Sequence, residues 1–172
     1  DEGELELPIG AEHTITSLYP SIGGDDTVEA TSGSNLVIAG YGNDRVAGLP
    51  RTTTPGDDPS LVVIGDNGAL RLDPEGVLLE ITTTSPCTGG DDDILLADRE
   101  DIVAAGIGAD TVNWDRLTNS SHGSGGGRDI LLGDNGQLTF DATAGTAVLR
   151  HATTTDTNCY GIDSLHSGGD DD

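Results

Sequence analysis

A nine-residue period constrains this chain more than any other feature. In residues 89–112, GGDDDILLADREDIVAAGIGADTV, Asp92, Asp101 and Asp110 fall nine apart, and Ile94, Val103 and Val112 each follow two residues later. Residues 23–46, GGDDTVEATSGSNLVIAGYGNDRV, repeat the frame with Asp26, Asn35 and Asp44, followed by Val28, Val37 and Val46. Neither the period of an α-helix nor the two-residue alternation of a strand gives nine. A chain that turns, runs a short strand and turns again does, each turn stacking on an earlier one.

In a two-sided coil, successive turns lie on opposite edges, and turns on one edge are eighteen residues apart. Asp26 is then expected to stack on Asp44, and Asp92 on Asp110. Nine residues beyond Asp110 is Asn119, on the opposite edge; ten more reach Asp129, expected back near Asp110 with one residue looped out.

These blocks resemble the glycine- and aspartate-rich nonapeptide repeats, G-G-x-G-x-D-x-U-x, of the repeats-in-toxin (haemolysin-type calcium-binding) family. The resemblance implies an all-β fold of parallel β-roll or β-solenoid coils, with Gly/Asp turns that hold Ca²⁺ and short apolar strands pointing inward. The best match is Gly40, Gly42, Asn43, Asp44 and Val46, followed by Gly106, Gly108, Asp110 and Val112. The metal ligands it implies are Asp25, Asp26, Asn43, Asp44, Asp91, Asp92, Asp110 and Asp129. Arg99 stands where a turn glycine is expected, and Ser32-Gly33-Ser34-Asn35 lacks the acidic residue, so Asp101 and Asn35 are read as structural.

The charge balance points the same way. Of 172 residues, 31 are acidic and 7 basic, every basic one arginine, for a formal net charge of −24. Nucleic acid and anionic membrane surfaces are poor partners for such a chain, which lacks a basic footprint. Salt bridges cannot neutralise the acids, so a compact fold repels itself unless cations bind or the charges stay in water. Clustering beside glycine, as in Asp91-Asp92-Asp93, favours cations over a merely solvated surface. Ca²⁺ takes roughly six to eight oxygens, which two stacked turns can supply through carboxylates and carbonyls where one cannot. Mg²⁺ holds its waters and demands octahedral geometry, and no paired His/Cys spacing suits zinc. A thin coil buries only one or two aliphatic side chains per nine residues, too few to offset backbone ordering without an ion. No apolar run is long enough to span a membrane as a helix.

A longer period lies above the nine. GDNGALRLD (65–73) and GDNGQLTFD (133–141) nearly coincide, and the opening DEGELEL aligns with both. Gly3, Gly68 and Gly136 are thus equivalent, and Gly-Gly-Asp-Asp recurs at 23, 89 and 168. The modules read as 1–22, the hairpin end of a preceding module; 23–88, with its nonapeptide block at 23–48 and its GDNG turn and hairpin at 65–81; 89–167, with block 89–113 and turn and hairpin 133–150; and 168–172, the start of another. Residues 156–167 are read as an insertion in the last module. The hairpins place strands at 4–7 and 13–17, 69–72 and 77–81, and 137–140 and 147–150; Asp73-Pro74-Glu75-Gly76 is good turn chemistry. Only 98–106 could wind into a helix, and the nine-residue period favours coils there. Such ends lead to the expectation of a slice from a longer tandem array.

Asp66 and Asp134 in the GDNG turns are either further calcium ligands or plain Asx turns. Cys87 and Cys159 precede related elements of two modules and could bridge them or stay as buried thiols; two cysteines in an acidic, calcium-type chain suggest an oxidising compartment. Asn119-Ser120-Ser121 is an N-glycosylation sequon, and Thr triplets at 52–54, 82–84 and 153–155 are either O-glycan sites or β-formers. Trp114 beside Asp115 is a candidate for stacking on carbohydrate, though a lone Trp is more often core. His13, His122, His151 and His166 follow no metal spacing, and neither a nucleophile elbow nor a P-loop occurs. Catalytic residues should occur once, whereas ligands of a structural ion should recur, as these acids do. The expectation is a non-enzymatic, extracellular or cell-surface calcium-binding repeat of an adhesin, surface layer or filament, with neighbouring repeats or identical chains end to end as partners. The alternatives are a self-assembling fibre subunit whose end modules complete each other, and a non-catalytic appendage of a secreted enzyme or toxin.

Overall fold

A computed structural model of the chain describes residues 3–6, 10–49, 58–115, 120–121, 127–156 and 158–166, without the side chains of 3–6, 114–115 and 120–121. Among these residues the protein is all-β and contains no helix. In chain order the strands are β1 (Gly3–Glu6), β2 (His13–Ser17), β3 (Thr27–Ala30), β4 (Ser34–Ile38), β5 (Arg45–Gly48), β6 (Ser60–Ile64), β7 (Gly68–Leu72), β8 (Leu78–Thr83) and β9 (Asp93–Leu95). There follow β10 (Ile102–Ala104), β11 (Thr111–Val112), β12 (Trp114–Asp115), β13 (Ser120–Ser121), β14 (Ile130–Leu132), β15 (Gly136–Thr143), β16 (Thr146–Thr154) and β17 (Ser164–Leu165). The stretch with helical potential, 98–106, contains strand β10 instead.

Two sheets are parallel throughout. One has the order β17-β11-β9-β5-β3, the other β14-β10-β6-β4. Along the chain, strands alternate between them: β3, then β4, then β5, then β6, and onward to β17. The register follows the nine-residue frame. Val28, Val46, Ile94, Val112 and Leu165 are successive partners in the first sheet, and Val37, Val63, Val103 and Leu131 in the second. Side chains from these two rows form one core, in which Val46, Val63, Ile94, Val103 and Val112 are at most 1% exposed.

The third sheet is antiparallel, in the order β1-β2-β7-β8-β15-β16, and consists of three hairpins laid side by side. It packs Leu70, Ile81, Leu138 and Phe140 against Ile64, Ala104 and Ile102 on the second face of the β4-containing sheet. That sheet is therefore covered on both sides, which is why β6 reads as the unbroken apolar run Leu61-Val62-Val63-Ile64. In the middle hairpin, Asp73 Oδ1 accepts the amides of Glu75 and Val77 at 3.0 and 2.7 Å, and Gly76 takes a φ of +85°. In the last hairpin the strands run on to Thr143 and Thr146, beyond the 141–146 turn expected from sequence. Ala144 and Gly145, with φ of 52° and 80°, close it as a two-residue turn whose twist suits the flanking strands.

The second and third hairpins leave and rejoin the two parallel sheets on one edge. The passages from the β4-containing sheet to the β3-containing sheet are 39–44, 65–92, 105–110 and 133–163; the second and fourth carry hairpins. Asn67 and Asn135 brace those exits. Asn67 Nδ2 donates to the carbonyls of Pro20 and Thr88 at 3.1 and 3.0 Å, and Asn135 Nδ2 to those of Pro86 and Cys159 at 2.9 and 3.3 Å. Cys87 and Cys159 form a disulfide, Cα–Cα 5.2 Å, that links the two braced segments.

Candidate metal centre

One edge of the coil carries a ladder of aspartates. The amide of Asp26 donates to Asp44 Oδ1 at 2.7 Å, that of Asp44 to Asp92 Oδ1 at 2.8 Å, that of Asp92 to Asp110 Oδ1 at 2.8 Å, and that of Asp110 to Asp163 Oδ1 at 3.1 Å. A second ladder beside it runs the opposite way. Asn43 N donates to Asp25 Oδ1 at 2.9 Å, Asp91 N to Asn43 Oδ1 at 2.8 Å, and Ala109 N to Asp91 Oδ1 at 2.8 Å. Asp44, Asp92 and Asp110 are buried, whereas Asp25, Asp26, Asn43 and Asp91 are exposed.

Glycine makes this stacking possible. A Cβ on Gly42 would collide with the carbonyl of Gly24, one on Gly90 with that of Gly42, one on Gly108 with that of Gly90, and one on Gly161 with that of Gly108. Gly42 and Gly108 also hold φ of +144° and +134°, which side chains rarely tolerate. Backbone oxygens are thereby pressed into a column along the aspartate ladder.

Asp66, from the first GDNG turn, enters the same edge. Its carboxylate accepts the amides of Gly90 at 2.9 Å and Ile107 at 2.5 Å, and it lies against Gly89 and Gly106. Asp134 repeats half of this, accepting Gly161 N at 3.0 Å. Burial, reinforced by the charges of Asp110 and Asp44 and, for Asp92, of Asp66 as well, pushes Asp66 up to about 8 and Asp92 to about 9. Burial likewise raises Asp44 and Asp163. Oδ2 of Asp44 and Oδ2 of Asp92 are buried with no hydrogen-bond partner. An orphaned carboxylate oxygen in a dry site costs several times what a satisfied one does, unless it is protonated or meets a cation. Asp92 Oδ2 and the carbonyl of Ala105 both face the space where a side chain on Gly65 would sit. These donors are all oxygen and hard, and they fit a hard divalent cation. Among the described residues, however, no three Asp, Glu, His or Cys side chains converge as a ready-made cage. Carbonyls from the glycine column would have to share the coordination.

The opposite edge is different. Asp101 Oδ1 and Oδ2 accept the amides of Leu61 and Ala97 at 2.7 and 3.3 Å, and Asp101 N donates to Asp129 Oδ1 at 3.0 Å. Burial raises Asp101 to about 7. Asn35 Nδ2 binds the carbonyls of Ser32, Gly33 and Ser60 at 3.1–3.3 Å. Asp129 therefore stacks on Asp101, not beside Asp110 as the spacing suggested. Asp110 leads into β11 of one parallel sheet and Asp129 into β14 of the other, so Asp129 lies on the far edge, one step from Asp110 where two nine-residue steps were expected.

Sequence reading missed Asp163. Gly161, Asp163 and Leu165 repeat the spacing of Gly42, Asp44 and Val46, but within the 156–167 stretch read as an insertion, whereas β17 there pairs with β11. It also missed Asn67 and Asn135, whose identical place in the two GDNG turns was the available signal. Asn119 and residues 168–172 lie outside the described residues, as does the side chain of Trp114. In the triplet 82–84, Thr83 is buried with its hydroxyl accepting Gly136 N at 2.9 Å. Comparison with protein-family models, characterised proteins and solved structures gives no match to this chain.

Proposed function

We propose that this chain is a structural calcium-binding repeat segment, a parallel β-roll stiffened by ions along one acidic edge, belonging to an extracellular adhesin, surface layer or filament. The observation that carries the reading is the pair of buried, unpartnered oxygens, Asp44 Oδ2 and Asp92 Oδ2, in one ladder with Asp110 and beside Asp66. Asp44, Asp66, Asp92 and Asp110 would hold the ion, with Asp134 and Asp163 as the matching carboxylates one module on. Bound calcium supplies positive charge that lets these acids ionise in a dry site. The resemblance to repeats-in-toxin nonapeptides supports the choice of ion, and the disulfide supports an oxidising, extracellular setting. Recurrence of the acids with the modules supports a structural, non-catalytic role.

Calcium titration followed by calorimetry and circular dichroism tests this. Saturable binding with a melting temperature raised by at least about 10 °C is expected, since each kcal/mol is worth roughly 2–4 °C at this size. Equal strand content and melting temperature in calcium and in excess chelator would refute it.

A further inference from the structure

The Cys87–Cys159 disulfide joins two passages that each lead into the acidic edge. The first runs Cys87-Thr88-Gly89-Gly90-Asp91-Asp92. In it Gly89 lies against the Asp66 carboxylate, the Gly90 amide donates to Asp66 Oδ1 at 2.9 Å, and the Asp92 amide donates to Asp110 Oδ1 at 2.8 Å. The second runs Cys159-Tyr160-Gly161-Ile162-Asp163. In it the Gly161 amide donates to Asp134 Oδ1 at 3.0 Å, and Asp163 Oδ1 accepts the Asp110 amide at 3.1 Å. Asp110 is held from both passages, by its carboxylate on one side and its amide on the other. With a Cα–Cα distance of 5.2 Å, the bridge fixes how closely these passages and their acids can gather. Cys87 is exposed and Cys159 half-buried, so a small thiol can reach the bridge from the Cys87 side. The preceding junction has the same hydrogen bonds and no disulfide. Ile22 N donates to Tyr19 O and Thr88 N to Ser85 O, as Cys159 N does to Asp156 O, and Asn67 spans Pro20 and Thr88 as Asn135 spans Pro86 and Cys159. Ser21 and Thr88 there take the places of Cys87 and Cys159. A junction of this kind therefore forms without a covalent tie, and the disulfide adds something to it.

We infer that the Cys87–Cys159 bridge is a redox latch on the acidic edge: closed, it gathers the carboxylates for a divalent cation, and its reduction by a dithiol lowers the affinity of that edge. The inference rests on the calcium reading of the edge. Reduction cleaves the S–S bond. Two electrons and two protons from the dithiol give thiols at Cys87 and Cys159, and the dithiol leaves as its own disulfide. The two passages are then tied by hydrogen bonds such as those of Asn135 to Pro86 and Cys159. Binding must now supply the cost of ordering them, which the closed bridge had already met. The coupling is reciprocal: the factor that reduction removes from calcium affinity is the factor by which bound calcium protects the bridge from reduction.

Calorimetric calcium titration of three forms tests the latch: the oxidised chain, the chain reduced with dithiothreitol, and Cys87→Ser with Cys159→Ser, all well below their melting temperatures. Calcium affinity should be at least about ten-fold lower in both open forms, with the same strand content in saturating calcium by circular dichroism. Equilibration in dithiothreitol redox buffers should show the converse. The midpoint should lie about 30 mV more reducing in saturating calcium than in chelator, which is that ten-fold converted. In calcium, amide exchange should quicken on reduction at Gly90 and Gly161, held by Asp66 and Asp134, and stay unchanged at Asp26, held by Asp44 away from the bridge. Equal calcium affinity in open and closed forms overturns the latch and leaves the calcium reading standing. Strand content lost on opening in saturating calcium also overturns it, because the bridge would then prop the whole fold. Absence of saturable binding in either form overturns the latch and the calcium reading together.

Discussion

The backbone amide of Asp44 donates to Oδ1 of Asp92, 48 residues away, at 2.8 Å, and leaves Oδ2 of Asp92 buried without a partner. One carboxylate thus serves two purposes. Its first oxygen ties adjacent strands together, and its second is the atom that, on the calcium proposal, would meet the ion.

Asp92→Asn separates these purposes. Asparagine keeps an acceptor for the Asp44 amide, and its NH₂ faces the region that also holds the Ala105 carbonyl against Gly65. In chelator the variant should melt several degrees above wild type, because it no longer has to hold an acid protonated in a dry site beside Asp44, Asp66 and Asp110. In calcium it should melt below wild type, with calcium affinity reduced at least ten-fold. The opposite signs, read by calorimetry, distinguish a ligand from a structural acid; a variant less stable in both conditions would make Asp92 purely structural.

The pH dependence should also reverse with calcium. Asp92, Asp66 and Asp101 sit near 9, 8 and 7 in the folded chain, against an ordinary 3.8. Between about pH 4 and pH 9 the folded state therefore binds more protons than the unfolded state, and stability falls as pH rises through that window. In chelator the melting temperature should drop steadily from pH 5 to pH 9. With calcium, protons compete for the same oxygens, so affinity and melting temperature should instead rise with pH from 5 towards neutrality. Thermal melts at five pH values, with and without calcium, check both slopes.

The sequence showed its all-β class and its inward apolar row more readily than its edges. Val28, Val46, Ile94 and Val112 could be found because each follows a turn acid by two residues, and the inward row needs that spacing. The middle hairpin was legible from Asp73-Pro74-Glu75-Gly76, where Asp73 Oδ1 and the positive φ of Gly76 set the turn. Asp163 was hidden because a hairpin separates it from Gly133, so its distance from Asp110 is 53 residues and not a multiple of nine. Asp129 was assigned to the wrong edge for a related reason: counting in nines puts two steps between Asp110 and Asp129, whereas β14 lies in the sheet next in turn after β11. Asn67 and Asn135 read as turn residues, yet their side chains hold segments that are remote in sequence.

Glycine at the ladder should be far less replaceable than glycine in an open turn. Gly108→Ala forces a Cβ into the carbonyl of Gly90 and a side chain onto a φ of +134°, whereas Gly33, at +75°, has nothing within 4 Å of its would-be Cβ. Gly33→Ala should cost about 1 kcal/mol from its backbone alone, and Gly108→Ala at least about 3 kcal/mol, with weakened calcium binding. Chemical denaturation in calcium measures both; equal losses would mean that the column of stacked carbonyls is not under close contact.

Reduction of Cys87–Cys159 should loosen one module from the next without abolishing the fold. The bridge spans 72 residues and joins segments that Asn67 and Asn135 already anchor through Thr88, Pro86 and Cys159. Closing a loop of that length restricts the unfolded chain by about 4 kcal/mol. Cys87→Ser with Cys159→Ser should accordingly lower the melting temperature by about 5–15 °C in calcium. Hydrogen exchange should rise most at Gly161 and Ser164, whose amides are held by Asp134 and by the Asp110 carbonyl, and least in β5 and β6. Uniform loss of protection across the chain would show that the two modules melt as one unit, with the bridge acting only on the unfolded state.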